Sequence, residues 1–255
     1  MDPFREEKTA KAIPIAIIFG FALIALAIYF TGANSAPTPI VSPEDAASTT
    51  PALTGTPKPV DETDYIRGNP NAPILLIEYS DYDCPFCKQY HEVLTQIINQ
   101  YGVNGKVAWV YRQFPIGQLH PNAPKISEAA LCVGSLGGQN AFWQFTDMVF
   151  YEREIEEQTN MVLLPDYAEA AGADRAKFEE CLDDGDMTDR VAQSTKDGFD
   201  IGARGTPYTV LMVGNEQAVI NGAQSYDTVS GIIDNLLKQL EGRAPATGTS
   251  SDTPQ

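Results

Sequence analysis

Two cysteines with two residues between them, in Cys84-Pro85-Phe86-Cys87, are the side chains of this sequence best suited to covalent chemistry. A thiolate is a nucleophile, and a second thiol one helical turn along can attack a mixed disulfide formed at the first. The same spacing also fits half of a zinc site. The other cysteines, Cys132 and Cys181, are far apart, so no second close pair completes one. A structural disulfide is the remaining use, and it would not require any particular flanking elements.

The flanking elements argue for redox chemistry. Ile74-Leu75-Leu76-Ile77-Glu78-Tyr79 reads as a buried strand, bounded by Pro73 and by Ser80-Asp81. Beyond Cys84, Phe86, Tyr90, Val93, Leu94, Ile97, Ile98 and Tyr101 recur at helical spacing and form one apolar face. The pair therefore sits where a strand hands over to a helix, with Pro85 at the first helical position. Free N–H groups and the dipole at a helix N-terminus favour an anion, here the Cys84 thiolate, while Cys87 faces inward. The dipole is worth about 0.3–2 kcal/mol, at most about one and a half pKa units. A strong oxidant needs directed N–H···S⁻ bonds as well.

A second mark is Gly205-Thr206-Pro207-Tyr208. Proline opens a strand only at an edge or as its first residue. A cis bond before Pro207 would leave the Thr206 backbone free to pair with an extended substrate beside Cys84. Thr206, Pro85 and Phe86 are thus the expected substrate-binding residues.

The remaining elements follow from periodicity. A second strand is expected over Lys106 to Phe114, and several helices over about Pro124 to Asp200. A hairpin follows, from Tyr208 to Val213 and Ala218 to Ile220 around Gly214-Asn215. The last element is a helix with Val229, Ile232, Ile233, Leu236, Leu237 and Leu240 on one face. A β-α-β half and a β-β-α half sharing one sheet make an α/β thioredoxin-type arrangement, here with a helical insertion at about 118–200.

Gly68-Asn-Pro-Asn-Ala-Pro73, the strand running through Glu78 to Cys84-Pro-Phe-Cys87, Phe142-Trp143 and Gly205-Thr-Pro-Tyr208 together resemble the DsbA family of thiol–disulfide oxidoreductases over about residues 62–241. The resemblance implies that Cys84 is the nucleophile, Cys87 the resolving thiol and Pro207 a cis-proline. It also implies that Glu78 is a buried acid assisting proton transfer at Cys87. Read from the sequence alone, Glu78 is equally a strand-end carboxylate facing solvent. One departure matters. The best-known members carry histidine between the cysteines where this chain has Phe86, so no cation assists the thiolate from that position, which puts the family's extreme oxidising power in question.

Four cysteines allow three pairings, and only Cys84–Cys87 with Cys132–Cys181 leaves the active pair free to cycle. A structural Cys132–Cys181 disulfide is therefore expected, against two buried free thiols. His91 and His120 read as surface or capping residues, and the position of His91 on the helix allows it to edge the active groove. Phe142, Trp143, Phe145 and Phe150 read as core. The acids at Glu152 to Glu157 read as a solvated helix end.

Ile13 to Phe30 is uncharged and almost wholly apolar, the lower limit for a bilayer-spanning helix. Arg5, Lys8 and Lys11 precede it, and no Lys or Arg follows until Lys58. The charge rule keeps residues 1–12 in the cytoplasm, places a signal-anchor in the lipid bilayer at 13–31 and exports the rest. A cleaved signal peptide is the rival, but its apolar region is shorter. Residues 32–62 read as a flexible Pro/Ser/Thr-rich linker, 63–242 as the catalytic domain and 243–255 as a disordered tail. The net charge of −17 argues against a nucleic-acid partner. The expected activity is disulfide introduction into exported protein thiols, with no cofactor beyond the Cys84–Cys87 disulfide and no metal. The family implies reoxidation by a membrane partner of the DsbB or VKOR type. The alternatives are a reductase or isomerase, a glutathione-type enzyme on the same fold, and a non-catalytic exported binding module.

Overall fold

The computed structural model describes residues 53–243. The expected cytoplasmic segment 1–12, the anchor 13–31, most of the linker and the tail lie outside these residues. Among the described residues, no helix is long and apolar enough to cross a membrane.

Five strands form one mixed sheet: β1 (Tyr65–Gly68), β2 (Ile74–Ser80), β3 (Val107–Gln113), β4 (Tyr208–Val213) and β5 (Glu216–Asn221), in the order β1-β3-β2-β4-β5. β2 and β3 are parallel, and the other neighbours are antiparallel. A parallel pair needs a crossover, which is supplied by α1 (Pro85–Ile97) and the π-helical turn Ile98–Gly102. Between β3 and β4 lie α2 (Ala123–Tyr151), a short 3-10 turn, α3 (Leu164–Ala170), α4 (Arg175–Asp184) and α5 (Thr188–Asp200). α6 (Tyr226–Arg243) is the last element of the described residues.

β2 is buried on both faces, which is why it reads as a continuous apolar run. Ile74, Leu76, Val107, Trp109 and Leu211 enter the larger core with α1, α6 and the helical block. Ile77, Tyr79, Val110, Tyr208 and Val210 point the other way, against Phe114, Ile201 and Ala203. The large core also holds Phe142, Trp143, Phe145 and Phe150. α2 is interrupted at Gly138, whose φ of 73° is not helical. α4 starts at Asp174, which accepts from the Lys177 N–H at 3.0 Å, and ends at the left-handed Gly185. Cys132 of α2 and Cys181 of α4 are joined by a disulfide.

Three differences from the sequence expectation have physical causes. The sheet begins one strand earlier, because β1 has only four residues and is too short to show an alternation. The linker ends before residue 62. Lys58 and Pro59 give their carbonyls to Arg112, whose guanidinium also holds Asp64 and Asp197, so the polar segment is docked by one buried cation. Phe86 is not on the buried face of its helix but is 58% exposed, because its helical position faces outward beside the cysteines.

Candidate active site

Cys84 is the residue before α1. Its backbone is extended (φ −69°, ψ 125°), and Pro85 follows as the first helical residue. This places the N–H groups of Phe86 and Cys87 around the Cys84 sulfur. Both cysteines are thiols and both are buried, Cys87 completely. The Cys84 thiol lies 3.6 Å from the carbonyl oxygen of Thr206, and the Asp81 N–H donates to the Cys87 sulfur at 3.5 Å. The Thr206–Pro207 peptide is cis. The turn before β4 therefore stands directly over the reactive sulfur, with the exposed Phe86 ring alongside.

The two sulfurs differ in their proton affinity. The Cys84 pKa is lowered to about 6, first by a hydrogen bond from Cys87 and then by the Thr206 side-chain hydroxyl and the N–H groups of Cys87 and Phe86, with burial opposing. The directed N–H···S⁻ bonds that the dipole alone could not replace are thus in place. Burial, together with the Cys84 charge, pushes Cys87 well up. At neutral pH the pair is an asymmetric couple, a thiolate beside a retained thiol.

Glu78 sits on the large-core face of β2, between Tyr111 of β3 and Thr209 of β4 in the sheet register. It is 1% exposed, so the solvent-facing alternative does not apply. The Trp109 indole N–H donates to its Oε2 at 2.9 Å, whereas Oε1 has no direct partner. Burial raises its pKa to about 8, against the lowering influence of Ser80 and Trp109. The buried hydroxyls of Ser80, Tyr90, Tyr111 and Thr209 lie around it. Such a carboxyl is able to hold or release a proton near neutral pH beneath Cys87.

The loop before Cys84 is tied on two sides. Asp81 accepts from the Ile116 N–H at 2.7 Å and bonds His120 Nδ1 at 2.9 Å, while Asp83 accepts from the Thr159 N–H at 2.8 Å. His120 thus anchors the loop. His91 is not a surface residue: it is buried, bonds Asp147 at 2.7 Å and packs against Trp109 and Phe150. The helix makes about two turns between Cys84 and His91, in a direction that carries the imidazole into the helical block. Among the described residues no group of His, Cys, Asp and Glu side chains is arranged to hold a metal. Sequence reasoning missed Arg153, a buried arginine inside the acidic run Glu152 to Glu157 that donates to the carbonyls of Tyr82 and Cys84, each at 3.0 Å. Its only signal was being the one basic residue among acids.

Comparison with known proteins agrees with this architecture. A protein of Mycolicibacterium gilvum named Na(+)/H(+) antiporter NhaA 1 is 30% identical over 185 residues, 70% of this chain and 26% of that protein. The chain spans about a quarter of the length of the curated relatives it matches first. A Rickettsia felis protein named as a protein-disulfide oxidoreductase is 24% identical over 192 residues, 72% of this chain and 64% of that one. In fold, this chain is similar to Wolbachia pipientis alpha-DsbA1, which aligns with a TM-score of 0.61 at 22% identity, covering 72% of this chain and 95% of its own. BdbD from Bacillus subtilis aligns with a TM-score of 0.62 at 21% identity, covering 73% of this chain and 98% of its own. Residues 60–235 match the family described as Thioredoxin, and this chain belongs to that family.

Proposed function

We propose that this protein is a thiol–disulfide oxidoreductase that introduces disulfides into exported proteins through Cys84 and Cys87. The observation that carries the reading is the asymmetric pair: a Cys84 sulfur held as an anion by N–H groups and Thr206, beside a buried Cys87 that keeps its proton. A stabilised thiolate favours the reduced form of the enzyme, which is the property of an oxidant.

In the forward direction a substrate thiolate attacks the Cys84 sulfur of the oxidised pair. The Cys84–Cys87 bond breaks, a mixed disulfide forms, and Cys87 leaves with the electron pair and takes a proton from Glu78. Thr206, before the cis-Pro207, supplies backbone to an extended substrate, and the exposed Phe86 with Pro85 forms the opposing wall. A second substrate thiolate then attacks the substrate's own sulfur in the mixed disulfide and expels Cys84 as a thiolate. Two electrons pass from substrate to enzyme. A membrane reoxidase of the DsbB or VKOR type returns the pair to the disulfide, and residues 13–31 hold the domain at the same membrane surface.

The reduction potential of the Cys84–Cys87 couple, equilibrated against glutathione, tests the direction. A potential above about −180 mV supports an oxidant, and one near the −270 mV of thioredoxin overturns it. Cys84→Ala removes disulfide exchange altogether, measured as thiol loss in a reduced, unfolded substrate.

A further inference from the structure

Arg153 is 6% exposed and lies just beyond α2, in the segment that covers the active-site loop. Its guanidinium donates only to backbone carbonyls: Tyr82 and Cys84 at 3.0 Å, and Glu154, Ile155 and Glu157 at 3.3, 3.2 and 2.9 Å. None of the ion pairs among the described residues includes it. A buried charge without a counter-charge is costly, and carbonyl dipoles offset that cost only in part.

The charged groups that face it are few. Asp83 and Asp81 attract it from the loop before Cys84, and the Cys84 and Cys87 sulfurs attract it from the start of α1. Lys88, also on α1, repels it and is itself held by the Phe150 carbonyl. Asp83 accepts from the Thr159 N–H with Oδ1 while its buried Oδ2 has no hydrogen bond, and Asp81 is engaged by the Ile116 N–H and His120; neither carboxylate takes part in the cysteine chemistry. The side chains of Glu152, Glu154 and Glu157, on its own segment, point to solvent. The anion that appears and disappears beside this cation during a redox cycle is therefore the sulfur of Cys84.

We infer that Arg153 is a positioning residue of the exchange reaction, fixing the Cys84 carbonyl and supplying the counter-charge to the thiolate formed when the pair is reduced. The cation absent between the cysteines, where Phe86 stands, is provided from behind the loop. This rests on the reading of Cys84 as the exchanging sulfur. In the oxidised pair only Asp83 and Asp81 attract the guanidinium, so each reduction event adds a third attracting group at Cys84, and the same contacts that hold the loop favour the reduced state.

The test is the pH dependence of Cys84 alkylation in the reduced protein, comparing wild type with Arg153→Gln, Arg153→Met and Arg153→Lys. The two neutral variants are expected to raise the alkylation midpoint by about one pH unit, a roughly tenfold loss of thiolate below both midpoints. Lysine, which keeps the charge, is expected to retain most of the wild-type midpoint even where melting shows a loosened loop. Neutral variants that fold, as judged by near-ultraviolet circular dichroism, and keep the wild-type midpoint would overturn the inference. If they do not fold, the wild-type protein decides: the Arg153 guanidinium NMR resonance, assigned by its loss in Arg153→Lys, must shift with the Cys84 midpoint, and a resonance flat across that pH range overturns it. A wild-type Cys84 that titrates as an ordinary thiol would instead remove the oxidoreductase reading itself.

Discussion

Glu78 and Cys84 carry opposite shifts for opposite reasons. Burial dominates at Glu78, which cannot spread its charge into water, whereas hydrogen-bond donors dominate at Cys84. The two shifts have opposite consequences for stability. Glu78 binds its proton more tightly folded than unfolded, so its contribution is full below about pH 4.5 and is lost as pH rises through about 8. In the oxidised protein, where Cys84 does not titrate, wild type is expected to lose stability across that window, on the order of a few kcal/mol. Glu78→Gln keeps an acceptor for the Trp109 indole and is expected to flatten that loss. Urea unfolding at several pH values checks it, and equal slopes for the two proteins would contradict a buried neutral acid. The same variant is expected to slow release of Cys87 at neutral pH, visible as slower formation of the mixed disulfide after the oxidised protein is mixed with a reduced peptide.

At the scale of elements, the site depends on how closely α2 and the helical block seat against the sheet. Gly134 of α2 is where the helix crosses β1, and a Cβ there would lie 2.1 Å from the Tyr65 hydroxyl. Tyr65 is stacked on Phe142 at 3.8 Å and cannot swing aside. Gly134→Ala is therefore expected to cost about 3 kcal/mol, at the upper end for overpacking, and to lower the melting temperature. The Cys132–Cys181 disulfide ties α2 to α4 across 49 residues. Replacing both with Ala is expected to cost roughly 4 kcal/mol by loop-closure entropy, while disulfide exchange at 25 °C continues. Equal denaturation midpoints for the double variant and wild type would show that α2 and α4 are held by packing alone. The Arg112 cluster with Asp64, Asp197 and Tyr79 serves the opposite face, where it pins residues 58–59 over the sheet.

Over the whole molecule, the thiolate links redox state to folding. Cys84 releases its proton more easily folded than unfolded, so its stabilisation is present above about pH 9 and is lost as pH falls through about 6. Only the reduced protein has this term, whereas Glu78 titrates in both redox forms. The difference in stability, reduced minus oxidised, is therefore expected to grow as pH rises from about 6 to 9. Parallel urea titrations of the two forms measure it. A difference independent of pH would mean that the folded state does not hold the Cys84 anion, and the oxidant reading would lose its support.

The order of the main α and β elements from β2 onward, and the placing of Cys84 and Cys87 at a strand–helix junction, were legible in the sequence itself. Both rest on local features: a run of apolar residues long enough for a buried strand, helical spacing of apolar residues after Cys84, and a proline at the first helical position. Short-range signals of this kind survive without tertiary contacts. Residues whose meaning depends on what lies opposite them were not legible. Glu78 was open between solvent and core until β3 and β4 were set beside β2. Phe86 kept the helical spacing of the buried residues yet faces outward. His91 looked like a surface residue and Arg153 like part of a solvated acidic run, because burial comes from a segment about 60 residues away in sequence for one and about 70 for the other. Only packing decided where these charges went, since the cost of removing a charge from water is set by the neighbours that enclose it.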